Sequence, residues 1–508
     1  MLKPIHLVGE QKRILFLPPQ NPIQIKGVAG CGKTTVAIYR AKHLVKEYGK
    51  IFQEPNVIIF TYNKSLVNYI KQLLPDVLGG YQQNTDELQR GIPKGLDVTV
   101  TNFHKWTYGF LKSRGYKLRY NIASEKLREE YIDEGINTLI KKYPNSKILY
   151  KRVEFFKDEI SWMKGKLFNN NEEYFSSRRE GRGKVDRVTN TDKEVIWELF
   201  SIYERRLKQE GKFDFDDFAK YALGEIVSDS VYKPPYTHIV IDEAQDLNKA
   251  QIMVLYNLVS RETNSITIIA DLAQRIYKSG FTWNEVGINV TGNRTVELKN
   301  NYRNTIEIAQ AAISLLKHDD DNSEFLEILL PSRHGEKPVL GSFNSREKQI
   351  SFLADKYYDY GGKNKSTVLL SRNGSQFESL VGELESRGIS CVIIGKHIAN
   401  FSDWRLMLCT LSSIKGLEFD NVFIMDLNQN VIPSPNGFNE INDELHINTE
   451  RRLLYTAMTR AKERLFLTYW GQRSRFIDEL NHSLFNHVDS NYKEKYNFEI
   501  PEDVGFHL

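Results

Sequence analysis

The 508-residue chain predicts an α/β fold interrupted by a mainly helical insertion. Three observations carry this expectation. Near the N-terminus, an alternating apolar segment passes through a Gly-rich turn straight into a helix-prone stretch. Short apolar runs ending in polar residues recur at 56–61, 96–101, 239–241 and 265–270, the pattern of buried strands in an open parallel sheet that presents ligand contacts at its C-terminal edge. Between Lys105 and Leu223 the pattern changes to long helical periodicity.

With 41% hydrophobic and 26% charged residues, the chain has the composition of an ordinary globular protein, with core enough for roughly two to four domains. The net charge of +4 is small, but the basic residues are concentrated. Lys112, Arg114, Lys117 and Arg119 form one run, and Lys141, Lys142, Lys147, Lys151 and Arg152 a second. Arg178, Arg179, Arg182, Lys184 and Arg187 form a third, and three runs in one segment favour a surface for a polyanion. Cys31, Cys391 and Cys409 are too widely spaced for a disulfide framework or a metal cluster, which fits a reducing cytoplasm. The N-terminus has no charged-then-apolar leader, and no apolar run approaches the roughly 18 residues that span a bilayer, so a cytoplasmic location without membrane contact is expected.

In chain order, Leu7–Leu15 reads as the start of an amphipathic helix carrying Gln11, whose amide can both donate to and accept from an adenine edge. Ile23–Thr35, IQIKGVAGCGKTT, follows as strand, loop and helix start. Residues Gly27, Val28, Ala29, Gly30, Cys31 and Gly32 can turn backbone N–H groups around a triphosphate, Lys33 can reach its outer phosphates, and Thr34 can sit on Mg2+, with Thr35 continuing the helix. The strand at 56–61 ends in Tyr62, Asn63 and Lys64, and that at 96–101 in Asn102, Phe103 and His104. In the helical segment, FNNNEEYFSSRREGRGK reads as a loop, and Asp214, Asp216 and Asp217 as a helix start with favourable dipole charge rather than a metal site. At THIVIDEAQDLN a strand delivers Asp242 for the Mg2+ shell and Glu243 to polarise the attacking water. The strand at 265–270 runs into Asp271, Gln274 and Tyr277.

The motifs EQ (Glu10–Gln11), GVAGCGKTT, FTYNK (60–64), TNFHK (101–105), IDEAQD (241–246) and DLAQRIY (271–277) continue as NNYRNT (300–305), VLLSRN (368–373), TLSSIKGLEFD (410–420) and ERRLLYTAMTRAKE (450–463). Ten motifs in this order resemble the UvrD/Rep/PcrA-like superfamily 1A DNA helicases. The resemblance implies two RecA-like P-loop domains with a helical insertion, called 1B, in the first. The boundaries expected are 1–104 and 224–293 for the first RecA-like domain, 105–223 for the insertion, and 294–508 for the second domain with its tail.

The resemblance also implies roles. Gln11 contacts adenine, and Arg40 with Tyr302 sandwiches the base. Lys33, Thr34, Asp242 and Glu243 take the phosphate, metal and base roles, and Gln274 senses the terminal phosphate. Arg303 and Arg460 are the arginine fingers, and Glu418 binds ribose. On the DNA side Tyr277 occupies the position of a stacking aromatic, and Tyr62, Asn63, Lys64 and His104 are candidate contacts, although Tyr62 interrupts the usual Phe-Thr-Asn-Lys order of the second motif and His104 also reads as a structural histidine. Ser279 replaces a second stacking aromatic, for which Phe281 or Trp283 could substitute, and Ser412 stands where histidine is common.

The implied activity is an ATP- and Mg2+-dependent DNA helicase or translocase moving 3' to 5' on single-stranded DNA or DNA with a single-stranded end. In long family members a domain called 2B lies between the motifs near Val368 and Thr410, whereas here Gly395–Cys409 leaves no room for an independent fold. After Glu463, too little chain remains for a fused nuclease. The alternatives are a DNA-stimulated motor or sensor subunit acting with a nuclease partner, as in antiviral defence systems of the Gabija type, and a nucleic-acid-gated NTPase that does not unwind.

Overall fold

The computed structural model describes residues 5–51, 55–78, 98–177, 188–271, 281–318, 329–361, 365–395, 401, 405–435 and 444–496. Apolar runs buried along their whole length require cover on both faces, and among the described residues they form two all-parallel sheets flanked by helices. The first unit runs through β1 (Ile23–Gly27), α1 (Lys33–Ile51), β2 (Val57–Thr61), α2 (Lys64–Leu78) and β3 (Val98–Asn102). Among the described residues six helices follow, α3 (Phe103–Ser113), α4 (Glu125–Lys142), α5 (Val153–Lys166), α6 (Asn171–Ser176), α7 (Asn190–Gln209) and α8 (Asp217–Ser228). The unit closes with β4 (His238–Ile241), α9 (Lys249–Asn257), β5 (Ser265–Asp271) and β6 (Thr295–Leu298).

The strand order β3-β2-β4-β5-β1-β6 places the ends of β4, β5 and β1 side by side. Their register pairs Gly27 with Asp271 and Ile241 with Ile268, so the loop after β1, Asp271 and Asp242 meet at one edge of the sheet.

The second unit contains α10 (Ile306–Leu316), β7 (Val339–Phe343), α11 (Arg346–Tyr360), β8 (Thr367–Ser371), α12 (Phe377–Glu385), β9 (Cys391–Ile393) and β10 (Leu406–Thr410). It continues with β11 (Phe419–Ile424), α13 (Glu444–Met458), β12 (Ala461–Trp470), α14 (Arg475–Glu479) and β13 (Asn486–Val488), in the order β13-β7-β12-β11-β8-β10-β9. Only residues 394–405 separate β9 from its neighbour β10.

One buried cluster joins Ile25, Val36 and Leu66 of the first unit to Val368, Met407 and Leu454 of the second. A separate core built on Tyr131, Phe156, Trp162, Leu199 and Tyr203 belongs to the helices between β3 and β4. Helices α3 and α8 do not join it. They lay Phe103, Leu111, Phe218 and Ala219 against Ile58, Phe60, Ile239 and Ile241 of the first sheet.

Local structure departs from expectation at two places. Gly9–Phe16 is a 3-10 turn rather than an amphipathic α-helix. Asn171–Ser176, expected as loop, is a short helix because Asn170 accepts the Glu173 N–H at 2.9 Å and Tyr174 is fully buried. The basic run from Arg178 to Arg187 lies outside the described residues. In the other two runs, Arg114 pairs with Asp229 at 2.8 Å and Lys142 with Glu198 at 2.7 Å, so part of the basic charge is already matched.

The acidic cluster is structural, as its spacing suggests. Asp214 and Asp217 each accept the other's backbone N–H at 3.0 Å, and both pair with the buried Lys164 of α5, at 2.8 and 2.7 Å.

Candidate functional site

The loop between β1 and α1 turns on Gly30 (φ +79°) and Gly32 (φ +82°), in the left-handed region where side chains are strained. A Cβ on Gly30 would lie 2.1 Å from Asn301 Oδ1, and one on Gly32 would lie 2.4 Å from Gln11 Nε2. Neighbouring side chains therefore press directly on the loop.

Inside it, Lys33 Nζ donates to Gly27 O (3.3 Å), Val28 O (3.2 Å) and Asp271 Oδ2 (2.9 Å). Burial alone would push the Lys33 ammonium down, but the carboxylates of Asp271 and Glu243 hold it above its ordinary value, so it remains a cation. The Cys31 thiol beside it is pushed up to about 11 by burial and stays protonated.

Thr34 Oγ1 donates to Asp242 Oδ2 at 2.8 Å. Burial, and then Glu243, push the Asp242 carboxyl up to about 7, a state that a divalent cation between the hydroxyl and the carboxylate would relieve. A hydroxyl and a carboxylate at the mouth of a phosphate loop are the hard oxygen donors Mg2+ takes, so the residues present fit that ion.

Glu243 differs from Asp242. Burial would raise its carboxyl, but Lys33, Lys415 and Arg460, together with a 2.5 Å hydrogen bond from Gln245 Nε2, hold it below its ordinary value and keep it ionised. Two adjacent carboxylates are thus driven apart, Asp242 toward its protonated form and Glu243 toward its ionised one.

The second unit closes over this edge. Arg303 donates through Nε to Glu418 Oε2 (2.8 Å) and through Nη1 to Thr459 O (3.3 Å). Lys462 pairs with the other Glu418 oxygen at 2.6 Å, and these two cations hold the Glu418 carboxyl far below its usual range despite burial. Arg460 is buried, donates through Nε to Thr456 O (3.0 Å), and is pushed down to about 10 by burial and by Arg303. It lies within electrostatic reach of Glu243 and Asp271, so a buried cation from the second unit faces the carboxylates of the first.

At the expected base-binding position, Tyr302 is half-exposed and its hydroxyl accepts the Glu10 N–H at 3.2 Å. Gln11 Nε2 donates to Cys31 O (2.7 Å), and Gln11 Oε1 accepts from Val8 N (2.8 Å), so its amide also braces the phosphate loop. Arg40 must be corrected. It is fully buried in α1, and its guanidinium donates to Thr267 Oγ1 (3.3 Å), Leu17 O (2.9 Å) and Pro18 O (2.5 Å), so it cannot reach a base.

Along the ends of β2 and β3, Tyr62 is 47% exposed with Lys415 Nζ 5.7 Å from its ring centre, and Lys64 is exposed. Asn63 Oδ1 accepts the Leu66 N–H at 2.8 Å. His104 is exposed, with the Phe103 and Phe215 rings edge-on at 5.8 and 5.7 Å. Phe215, 44% exposed, was hidden from sequence reasoning inside the acidic GKFDFDDF stretch, where only its alternation with Asp signals it.

Trp283 is a second correction. It is buried and packs perpendicular to the buried Phe281 at 5.6 Å, so neither offers an open face to a base. Gln274 and Tyr277 lie outside the described residues. Asn301 and Asn304, which sequence reasoning did not single out, are buried between the phosphate loop and Arg460.

A family model described as UvrD/REP helicase N-terminal domain matches residues 7–282, and one described as UvrD-like helicase C-terminal domain matches 396–472. The chain is 22% identical over 421 residues to a probable DNA helicase II homolog of Mycoplasma capricolum subsp. capricolum, covering 77% of the chain and 52% of that protein. It is 24% identical over 490 residues to a probable DNA helicase of Mycoplasma pneumoniae, covering 91% and 83%. With the ATP-dependent DNA helicase PcrA of Leuconostoc citreum it shares 22% identity over 321 residues, covering 59% and 38%. The chain thus spans about half the length of the first of these relatives and less of the third. Among the described residues no helix is long and apolar enough to cross a membrane.

Proposed function

This chain belongs to the UvrD/REP helicase family, and from that premise we propose that it is an ATP-driven motor that moves along single-stranded DNA, 3' to 5', by closing two RecA-like units around a nucleotide. The observation that carries the reading is the meeting at one cleft of Lys33, Asp242 and Glu243 from the first unit with Arg303 and Arg460 from the second. We take 1–104 with 224–293 as the first motor domain, 105–223 as its insertion and 294–508 as the second domain, with α3 and α8 at the two ends of the insertion packed on the first sheet.

Each side chain has a task on this reading. The loop N–H groups and Lys33 bind the phosphates, and Thr34 with Asp242 holds Mg2+, which when bound neutralises charge on the phosphate oxygens. Glu243, kept ionised, accepts a proton from the attacking water. Arg303 and Arg460 supply positive charge to the transferring phosphoryl group in a site the second unit shields from water. Glu418 orients the ribose, Tyr302 stacks on the base, and Gln11 touches its edge while bracing the loop. Gln274 and Tyr277 keep the roles their family positions imply. Tyr62, Asn63, Lys64, His104 and Phe215 line the strand path, where base stacking is worth roughly 1 to 3 kcal/mol per base.

A second reading is favoured by the short connection between β9 and β10, which leaves no place for an inserted domain. On it the chain is a DNA-stimulated motor or sensor subunit that unwinds little alone and works with a nuclease partner in repair or antiviral defence. ATP turnover with and without single-stranded DNA, with displacement of streptavidin from either strand end, tests the motor. DNA-stimulated turnover with release from the 5' end supports 3'-to-5' movement, and turnover indifferent to DNA contradicts it. Strand displacement by the chain alone, against displacement only with a co-purified partner, separates the two readings.

A further inference from the structure

The segment between β6 and α10 carries the chain from the first sheet to the second unit, and it contains Asn301 and Asn304. Asn301 sits against the phosphate loop, its amide filling the space a Gly30 side chain would need, while Tyr302 N–H donates to Gly30 O at 2.9 Å. Asn301 Oδ1 accepts the backbone N–H of Arg303 (2.9 Å) and of Asn304 (3.1 Å), and its Nδ2 donates to Asn304 Oδ1 (2.8 Å). Asn304, with no exposed surface, donates through Nδ2 to the carbonyls of Thr459 (3.1 Å) and Ala461 (2.5 Å). Those carbonyls belong to the residues on either side of Arg460.

We propose that Asn304, oriented by Asn301, is the positioning residue for Arg460: it fixes the peptide that bears the arginine relative to the phosphate loop, so that the guanidinium is aimed when the units close. The inference rests on the reading of Arg460 as a transition-state cation. Both side chains are buried, Asn304 completely, where a lost partner would leave carbonyls unsatisfied, so the arrangement is tightly specified. Because Gly30 is packed against Asn301 and bonded to the Tyr302 N–H, while Asn304 holds the carbonyls beside Arg460, the loop and the arginine are tied together through the short segment that connects the units.

The test is ATP turnover at saturating single-stranded DNA, nucleotide binding by fluorescence, and thermal melting for Asn304→Ala, Arg460→Lys and the double variant. Loss of aim should lower kcat by about 10- to 100-fold while KM for ATP and strand binding stay within about threefold. In the Arg460→Lys background the same substitution should cost less than about twofold more, because two residues acting through one group are not additive. Asn304→Asp, which keeps the acceptor toward Asn301 but loses the amide donors, should reproduce the effect if Asn304→Ala folds poorly. Wild-type turnover in Asn304→Asp, or an undiminished cost in the double variant, would overturn the proposal. Wild-type turnover in Arg460→Lys would instead overturn the reading beneath it.

Discussion

Lys415 Nζ lies 2.7 Å from Asp246 Oδ1, an ion pair that joins the second α/β unit to the turn carrying Glu243. Lys415 is held above its ordinary value, burial being outweighed by Asp246 and Glu243, so its charge is fixed where the cleft closes. Removing it takes from Glu243 one of the cations that keep it ionised. Lys415→Ala should therefore lower DNA-stimulated ATP turnover by about tenfold or more, as loss of one preorganised charge does, in steady-state assays.

The contrast between Asp242 and Glu243 makes a second outcome specific. Glu243→Gln keeps the shape and the loop, so fluorescent nucleotide should bind as in the parent chain, while turnover falls by roughly 10² to 10⁴. Lys33→Ala should lose turnover and bind nucleotide more weakly as well, because its ammonium is the cation within the loop.

The buried charges of the insertion yield a stability prediction. Lys164 is only 2% exposed at its side chain and pairs with Asp214, Asp217 and Glu204 at 2.7–2.8 Å. Breaking a buried pair by deleting one partner costs about 3 to 5 kcal/mol, so Lys164→Met should lower the first thermal transition markedly. Burial already pushes Asp217 up to about 7 even with the lysine present. Without Lys164 the folded-state value of Asp217 rises further above its unfolded one. Its cost is then present at high pH and relieved as pH falls through the folded value. Melting of Lys164→Met should recover toward the parent between about pH 8 and pH 5.5.

What the sequence made legible is what is local. The strand, loop and helix from Ile23 to Thr35 and the strand delivering Asp242 and Glu243 follow from spacing alone, because a phosphate loop and a carboxylate at a strand end need only neighbours in the chain. Arg40 was misread because its burial depends on Leu17, Pro18 and Thr267, which spacing does not bring together. Trp283 failed for the same reason, its exposure being decided by Phe281 and the first sheet's core. Phe215 lay hidden among aspartates, and Asn301 with Asn304, although inside NNYRNT, were given no role there, since a bridge between Gly30 and Thr459 exists only once both units are folded.

The central claim is that hydrolysis needs the second unit's arginines to meet a nucleotide held by the first. Arg303→Ala and Arg460→Ala test it most directly, with steady-state ATP turnover and fluorescence anisotropy of single-stranded DNA measured on the same preparations. Arginine fingers are worth about 10³ to 10⁵ in turnover, so each variant should lose nearly all DNA-stimulated hydrolysis while strand binding without nucleotide stays near that of the parent. Full turnover in both variants would contradict the account and leave a nucleotide-binding module whose two units do not act as a motor.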